Sequence, residues 1–206
     1  MTELQIKRIL VEKFIKLNRE IIIGAEVPFQ YGERRADLIT LDGYIATSYE
    51  IKSAGDNTSR LSYQLDSYKS FFDFCFIVCE IVHLDAIRKL APTSFGIIVV
   101  NENEIQFVRK SKQFKMHNKE TLASYLPVKA LRKLTRGKNI KSKHELCSFI
   151  SKNYSKDFIY RLSREALHDR YSINSALLRS DSNGLVTDDD IFTITKRPPE
   201  KLIKID

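Results

Sequence analysis

The chain has 206 residues, of which 43% are hydrophobic and 29% charged, and a formal net charge of +8. That length suits one domain, or a core with a small second unit; the longest apolar runs, "FCFIVC" and "FGIIVV", are strand-length, so neither a membrane span nor an export leader is expected. The charge is uneven, −3 over residues 1–108 and +11 over 109–206, which is the asymmetry expected when one part of a protein attracts a polyanion.

Residues 3–20 place Leu4, Ile6, Ile9, Leu10, Phe14 and Leu17 near helical spacing with charges between them, which predicts an amphipathic helix. "IIIGAEVPF" (21–29) is a β-branched strand, "QYGERR" a turn-rich connection, and "RRADLITLDGYIATSYEIKS" (34–53) two strands joined at Asp42-Gly43. Residues 58–73 return to helical spacing through Leu61, Leu65, Tyr68 and Phe72, with Asn57 or Thr58 available as the cap. "FCFIVCEIV" (74–82) reads as a buried strand, "LDAIRKLA" as a short helix, and 95–101 and 104–110 as two further strands around a polar turn. Strands reached through a helix are most easily parallel, so an α/β fold with a mixed sheet flanked by helices is expected over residues 1–111. From about residue 112 the pattern turns helical and basic: "KETLASYL", "VKALRKLTRG", "KHELCSFISKNY", "KDFIYRLSREALHDR" and "INSALLRS" predict short helices to residue 179. Residues 180–206, with an acidic triplet and a Pro-Pro pair, read as a partly ordered tail.

The two strands at 34–53 carry Asp37, Glu50 and Lys52 at positions where an unpaired charge is costly. With Asp42-Gly43 as a two-residue turn, Leu41 faces Tyr44 and Asp37 faces Ser48, so Asp37, Glu50 and Lys52 share a face. Asp37 and Glu50 then become diagonal neighbours roughly 7 Å apart at Cβ, close enough to hold one divalent cation. Magnesium or manganese suits such a pair, being bound through oxygen and commonly held by one or two carboxylates with substrate phosphate. Lys52 would approach the bound water or the phosphate. The competing explanation of the three charges is an ion-pair ladder.

The same residues resemble the PD-(D/E)XK nuclease superfamily, whose core runs helix, three strands, helix, strand, and the match covers about residues 3–82. "RADL" supplies the first acid as Asp37, without the proline of the superfamily's name, and "YEIKS" supplies Glu50 and Lys52. "QLDSY" is similar to the QxxxY signature of RecB-type nucleases, carried by Gln64 and Tyr68 on one helix face. The resemblance implies a restriction-endonuclease-like fold, a metal shell of Asp37, Glu50 and the Ile51 carbonyl, and a further glutamate from the first helix. Spacing similar to that of archaeal Holliday-junction resolvases points to Glu12, with Glu26 as its rival. The combination also resembles an uncharacterised bacterial family of the same superfamily.

The function expected is therefore Mg²⁺- or Mn²⁺-dependent hydrolysis of phosphodiester bonds in DNA, with Asp37, Glu50, Lys52 and Gln64 at the reaction centre. A nucleic-acid-binding module that hydrolyses nothing and an RNA-cleaving toxin are the alternatives. The basic helices are expected to bind backbone phosphates and to offer a surface for a second copy or a protein partner; without a lipidation motif or a Trp/Phe-rich amphipathic face, a membrane surface fits less well. Cys75, Cys79 and Cys147 lack paired spacing and read as buried thiols of a cytoplasmic protein, and the four histidines form no zinc pattern. His83, just past the apolar strand, reads as a structural histidine, and Arg60, following the caps of the second helix, as an exposed cation within reach of a phosphate.

Overall fold

The computed structural model describes residues 1–56, 61–102, 104–181 and 185–196, without the side chains of 62–64 and 181. Helix α1 (Glu3–Leu17) starts at a capping box in which the Thr2 hydroxyl accepts from the Gln5 amide and the Gln5 side chain accepts from the Thr2 amide. Its buried stripe is Ile6, Leu10, Val11 and Phe14. Leu17, expected on that stripe, is 65% exposed because the helix ends at Asn18 before another turn can carry it over the sheet.

Six strands follow in one mixed sheet: β1 (Ile22–Phe29), β2 (Arg34–Asp42), β3 (Ile45–Lys52), β4 (Phe74–Cys79), β5 (Gly96–Val100) and β6 (Ile105–Arg109), in sequential order. The pairs β1–β2, β2–β3 and β5–β6 are antiparallel hairpins. Strands β3–β4 and β4–β5 are parallel, as the intervening α2 (Leu61–Lys69) and α3 (Leu84–Leu90) require. The expected caps Asn57 and Thr58, together with Arg60, lie outside the described residues.

The β2–β3 turn differs from the sequence expectation. Asp42 pairs with Ile45 and Leu41 with Ala46, so the two loop residues are Gly43 and Tyr44. Gly43 takes φ +56° and Tyr44 stays at negative φ, the pattern of a turn that needs glycine first and relieves Asp42 of a left-handed conformation. The register therefore moves by two positions, and two positions preserve the face of every side chain.

The chain beyond β6 packs onto this sheet. Helices α4 (Lys119–Tyr125), α5 (Val128–Leu134), α6 (Lys143–Asn153) and α7 (Lys156–Asp181) contribute Leu122, Leu131, Leu146, Ile159, Leu167 and Tyr171 to one apolar cluster with Val27, Phe29, Phe71, Phe72 and Ile77. On the other face, α1 and α8 (Asp188–Thr195) close over Ile23, Leu38, Tyr49, Ile51 and Ile98. The boundary read near residue 111 thus falls within a shared core. The two segments expected around Ser172 form one helix, α7, because "RYSINSALLRS" contains neither Gly nor Pro to break it. Within the stretch read as a tail, Asp188–Thr195 make a helix with its own capping box at Thr187 and with Ile191 and Ile194 buried.

Helix α7 holds two edges of the fold. Its Arg164, fully buried, donates to Asp73 Oδ2 at 3.0 Å and to the Phe71 carbonyl, and lies between the Phe71 and Tyr160 rings. Asp73 also accepts from the Ala46 amide at 2.8 Å and from the Tyr160 hydroxyl at 3.0 Å, so the hairpin, the α2–β4 junction and α7 meet at one carboxylate. Further along, the Ser175 hydroxyl accepts from the Ile23 amide and donates to the Ile23 carbonyl, each at 2.8 Å, and Arg179 donates to the Ile21 carbonyl at 2.7 Å.

Candidate functional site

Glu50 lies on the face of β3 that carries Ala46 and Ser48, while at Asp37 the alternation of β2 breaks, with Ala36 and Ile39 packing on one face of the sheet and Leu38 on the other. Asp37 and Glu50 are the residues that follow Leu38–Tyr49, the last pair of the β2–β3 ladder. Asp37 Oδ2 accepts from the Ile51 amide at 2.7 Å, fixing this carboxylate against β3. Lys52 Nζ donates to Glu50 Oε1 at 2.8 Å, and the Tyr68 hydroxyl of α2 donates to Glu50 Oε2 and lies 3.2 Å from the Arg35 carbonyl. Asp37, Glu50, Lys52 and Tyr68 are thus brought together, whereas the side chain of Gln64 lies outside the described residues.

Glu26 joins them from β1. It sits between the pairs Ala25–Leu38 and Val27–Ala36, opposite Asp37, with φ +52°. Gln30 and Tyr31, in the turn between β1 and β2, also take positive φ, so every described non-glycine residue with positive φ belongs to the short stretch beside the acids. Strain of this kind gathers where neighbouring structure holds a side chain in a required place.

Glu12 does not reach the cluster. Its carboxylate accepts from the Val186 amide at 3.0 Å, and the glutamate that α1 brings to the acids is Glu3, nine residues earlier. Nine residues are about two and a half helical turns, enough to put the two glutamates on opposite sides of α1 and about 13 Å apart along it. Carboxylate oxygens of Glu3, Glu26 and Asp37 all lie within 4.8 Å of one another. The signal available in the sequence was the strand acid, Glu26, opposite Asp37; Glu3, an exposed residue in a first helical turn, also has the ordinary role of favouring the helix N-terminus.

Lys7 is the cation that sequence reasoning missed. Only 5% exposed, it forms ion pairs with both Glu3 and Glu26, and Arg35 pairs with the other oxygen of Glu26. Burial raises the Asp37 carboxyl well above its ordinary value, the Glu50 charge adds to that effect, and the Ile51 amide only partly opposes it. Burial pulls the Lys52 ammonium down, but Glu50 and the charges of Asp37 and Asp56 outweigh it, leaving its pKa raised. Burial and the charges of Glu50 and Asp37 raise the Tyr68 phenol, which therefore stays a donor to Glu50. His83 Nε2 lies 2.8 Å from the Ser53 carbonyl and orients the loop after Lys52.

A tight group of carboxylate oxygens, one of them on an acid that burial holds back from ionising, has the hard-donor chemistry that magnesium and manganese require. The residues fit such an ion through Asp37, with Glu26 and Glu3 beside it and Glu50 across the strand pair.

A model of the bacteriophage P4 protein cII family matches residues 1–194. The chain belongs to that family. Protein cII of Enterobacteria phage P4 is 25% identical over an alignment of 223 positions that takes in 100% of this chain and 83% of the phage protein. Among solved structures, a protein of unknown function from Silicibacter pomeroyi aligns with a TM-score of 0.42 at 16% identity, covering 66% of this chain and 96% of its own. In this member of the cII family, Glu3, Glu26, Asp37, Glu50 and Lys52 all fall within the matched residues.

Proposed function

We propose that this cII-family protein is a divalent-metal-dependent nuclease of restriction-endonuclease-like core, hydrolysing phosphodiester bonds in DNA. The observation that carries the reading is the meeting of Asp37, Glu50 and Lys52 on adjacent strands, with Asp37 held by the Ile51 amide and Glu50 by Tyr68.

Asp37 and Glu50 would hold the ion, with Glu26, Glu3 and the Ile51 carbonyl as further oxygen donors. When bound, it supplies positive charge to a phosphate oxygen and lowers the pKa of a coordinated water. Lys52, its ammonium favoured by neighbouring carboxylates, serves as a fixed positive charge beside the phosphate in preference to a general base. Tyr68 keeps its proton and holds Glu50 in one orientation. Strands β2 and β3, buried on both faces, give these groups a rigid support that a loop would not.

One observation favours a second reading. Lys7 and Arg35 already pair with Glu3 and Glu26, two cations against two acids, as expected of a nucleic-acid-binding module that keeps its acids in an ion-pair network and cleaves nothing. Purified protein incubated with labelled DNA and with labelled RNA, in Mg²⁺ or Mn²⁺ and in EDTA, separates the readings. Metal-dependent DNA cleavage that disappears in EDTA, in Asp37→Ala and in Lys52→Ala is expected; undiminished cutting by either variant, or in EDTA, overturns the proposal, and cleavage confined to RNA reassigns its substrate.

A further inference from the structure

We infer that the exposed cationic side of α5, with the loop leading into α6, is the surface that grips a nucleic-acid duplex by its phosphate backbone. The inference deepens the nuclease reading by assigning the place where the polymer is held, and its binding step can be measured with hydrolysis switched off.

Seven lysines and arginines fall between Pro127 and His144 with no acid among them. Lys129, Arg132, Lys133 and Arg136 stand at spacing i, i+3, i+4 and i+7, which lines them along one side of α5 and the turn that ends it. All four are exposed, while Leu131 and Thr135 point into the protein. Among the described residues, none of the four has a carboxylate within ion-pair distance, in contrast to Lys7, Arg8, Arg35, Lys52, Lys69 and Arg164 elsewhere in the fold.

Helix stability explains part of this arrangement and leaves part over. Arg132 and Lys133 occupy the last turn of α5, where cations complement the helix dipole. Lys129 occupies the first turn, where a positive charge opposes that dipole and no side chain caps the helix. A charge placed against local stability, in line with three others and free of counter-charge, points to an external polyanion.

The chemistry of the side selects the backbone as its target. No aromatic residue falls among the four cations, and the nearby Phe149 ring is half-buried under the Lys138 ammonium at 5.8 Å. The surface therefore offers point charges for phosphates and no platform on which an unpaired base could stack. The loop then runs to Ser142, the cap of α6, and to His144, whose ring stacks on Tyr31 with centroids 5.4 Å apart. Tyr31 belongs to the turn joining the strands of Glu26 and Asp37, and its hydroxyl donates to Glu120 of α4 at 2.8 Å. The basic segment is thus fastened to the end of the sheet where the acids gather.

The test is fluorescence anisotropy of the full chain with a labelled blunt DNA duplex in EDTA, over a range of salt. The triple variant Lys129→Gln/Arg132→Gln/Lys133→Gln is expected to bind at least tenfold more weakly, with a slope of log K against log salt shallower by about 2–3. Lys13→Gln/Lys16→Gln/Arg19→Gln, which removes the same charge from exposed positions at the end of α1, is expected to keep the wild-type slope to within about 1. Lys129→Gln alone, which relieves an unfavourable first-turn charge and so preserves folding, is expected to reduce the slope by about 1. Equal weakening in both triple variants, or no weakening in the α5 variants, overturns the assignment. Because the binding is read in EDTA, with neither divalent ion nor cleavage, loss of the hydrolytic reading would leave the binding result standing.

Discussion

Asp37 and Glu50 lie just past Leu38–Tyr49, the last pair of the β2–β3 ladder, and only one of them has an ammonium of its own: Lys52 lies 2.8 Å from Glu50, while Asp37 is held by the Ile51 amide. This asymmetry sets the pH behaviour of the protein. Folding raises the Asp37 pKa, so the folded state keeps that proton to higher pH than the unfolded chain. The resulting penalty is absent below the ordinary carboxylate value of 3.8 and develops as pH rises from there towards the folded pKa. Asp37→Asn is therefore expected to melt higher than wild type near neutral pH without divalent ions, by a few degrees, and at the same temperature at the acid end of the range. Thermal melts at several pH values in EDTA check this; a variant that melts lower at neutral pH contradicts it.

Divalent cation should reverse the order of the two proteins. An ion that binds the folded state alone adds RT ln(1 + [L]/Kd), about 2.7 kcal/mol at a hundredfold excess over Kd. Mn²⁺ is expected to raise the melting temperature of wild type and to leave Asp37→Asn nearly unchanged. Because Asp37 must lose its proton to accept the ion, the gain should grow as pH rises. Calorimetric titration of Mn²⁺ at two pH values measures the same linkage independently of activity.

Arg164 and Asp73 are buried together, 3.0 Å apart, and each has further partners. Removing one member leaves the other desolvated, which costs about 3–5 kcal/mol in comparable pairs. Arg164→Ala is expected to lower stability by that amount in urea unfolding while leaving a single transition, since sheet and helices share a core. A second transition appearing in wild type would mean that residues beyond 111 unfold separately.

Gly96 begins β5 where a Cβ would come 2.2 Å from the Phe76 ring and 2.9 Å from the Ser111 backbone nitrogen. The ring can turn aside, but the backbone cannot without moving the strand end. Gly96→Ala is expected to destabilise by about 1–3 kcal/mol, as overpacked cores do, and equilibrium denaturation reads it directly.

Much of the sheet was legible in the sequence because each strand is a short apolar or alternating run bounded by turn residues, and because two helices separate three of the strands. That Asp37, Glu50 and Lys52 come close together was also legible from the hairpin joining their strands, whereas the break in alternation at Asp37, where Glu26 and Glu3 approach it, was not. The turn was misplaced by one residue because Asp-Gly and Gly-Tyr both satisfy turn chemistry, and the choice depends on which residue must take positive φ. Glu3 and Lys7 were not legible as a pair in the cluster: both read as surface positions of an amphipathic helix, and the packing of α1 on the sheet decides which end meets the acids. Helix α8 was hidden by its composition, in which three aspartates and a later Pro-Pro pair outweigh the two buried isoleucines.

The Ser175 hydroxyl, bonded to both backbone groups of Ile23, occupies the place that another strand would take beside β1. Another strand is thereby barred from β1 at Ile23, while β6, where Gln106 and Phe107 face solvent, forms the other border of the sheet. Strand exchange between molecules is therefore easiest at β6, and a lysine substituted for Phe107 is the simplest way to guard it.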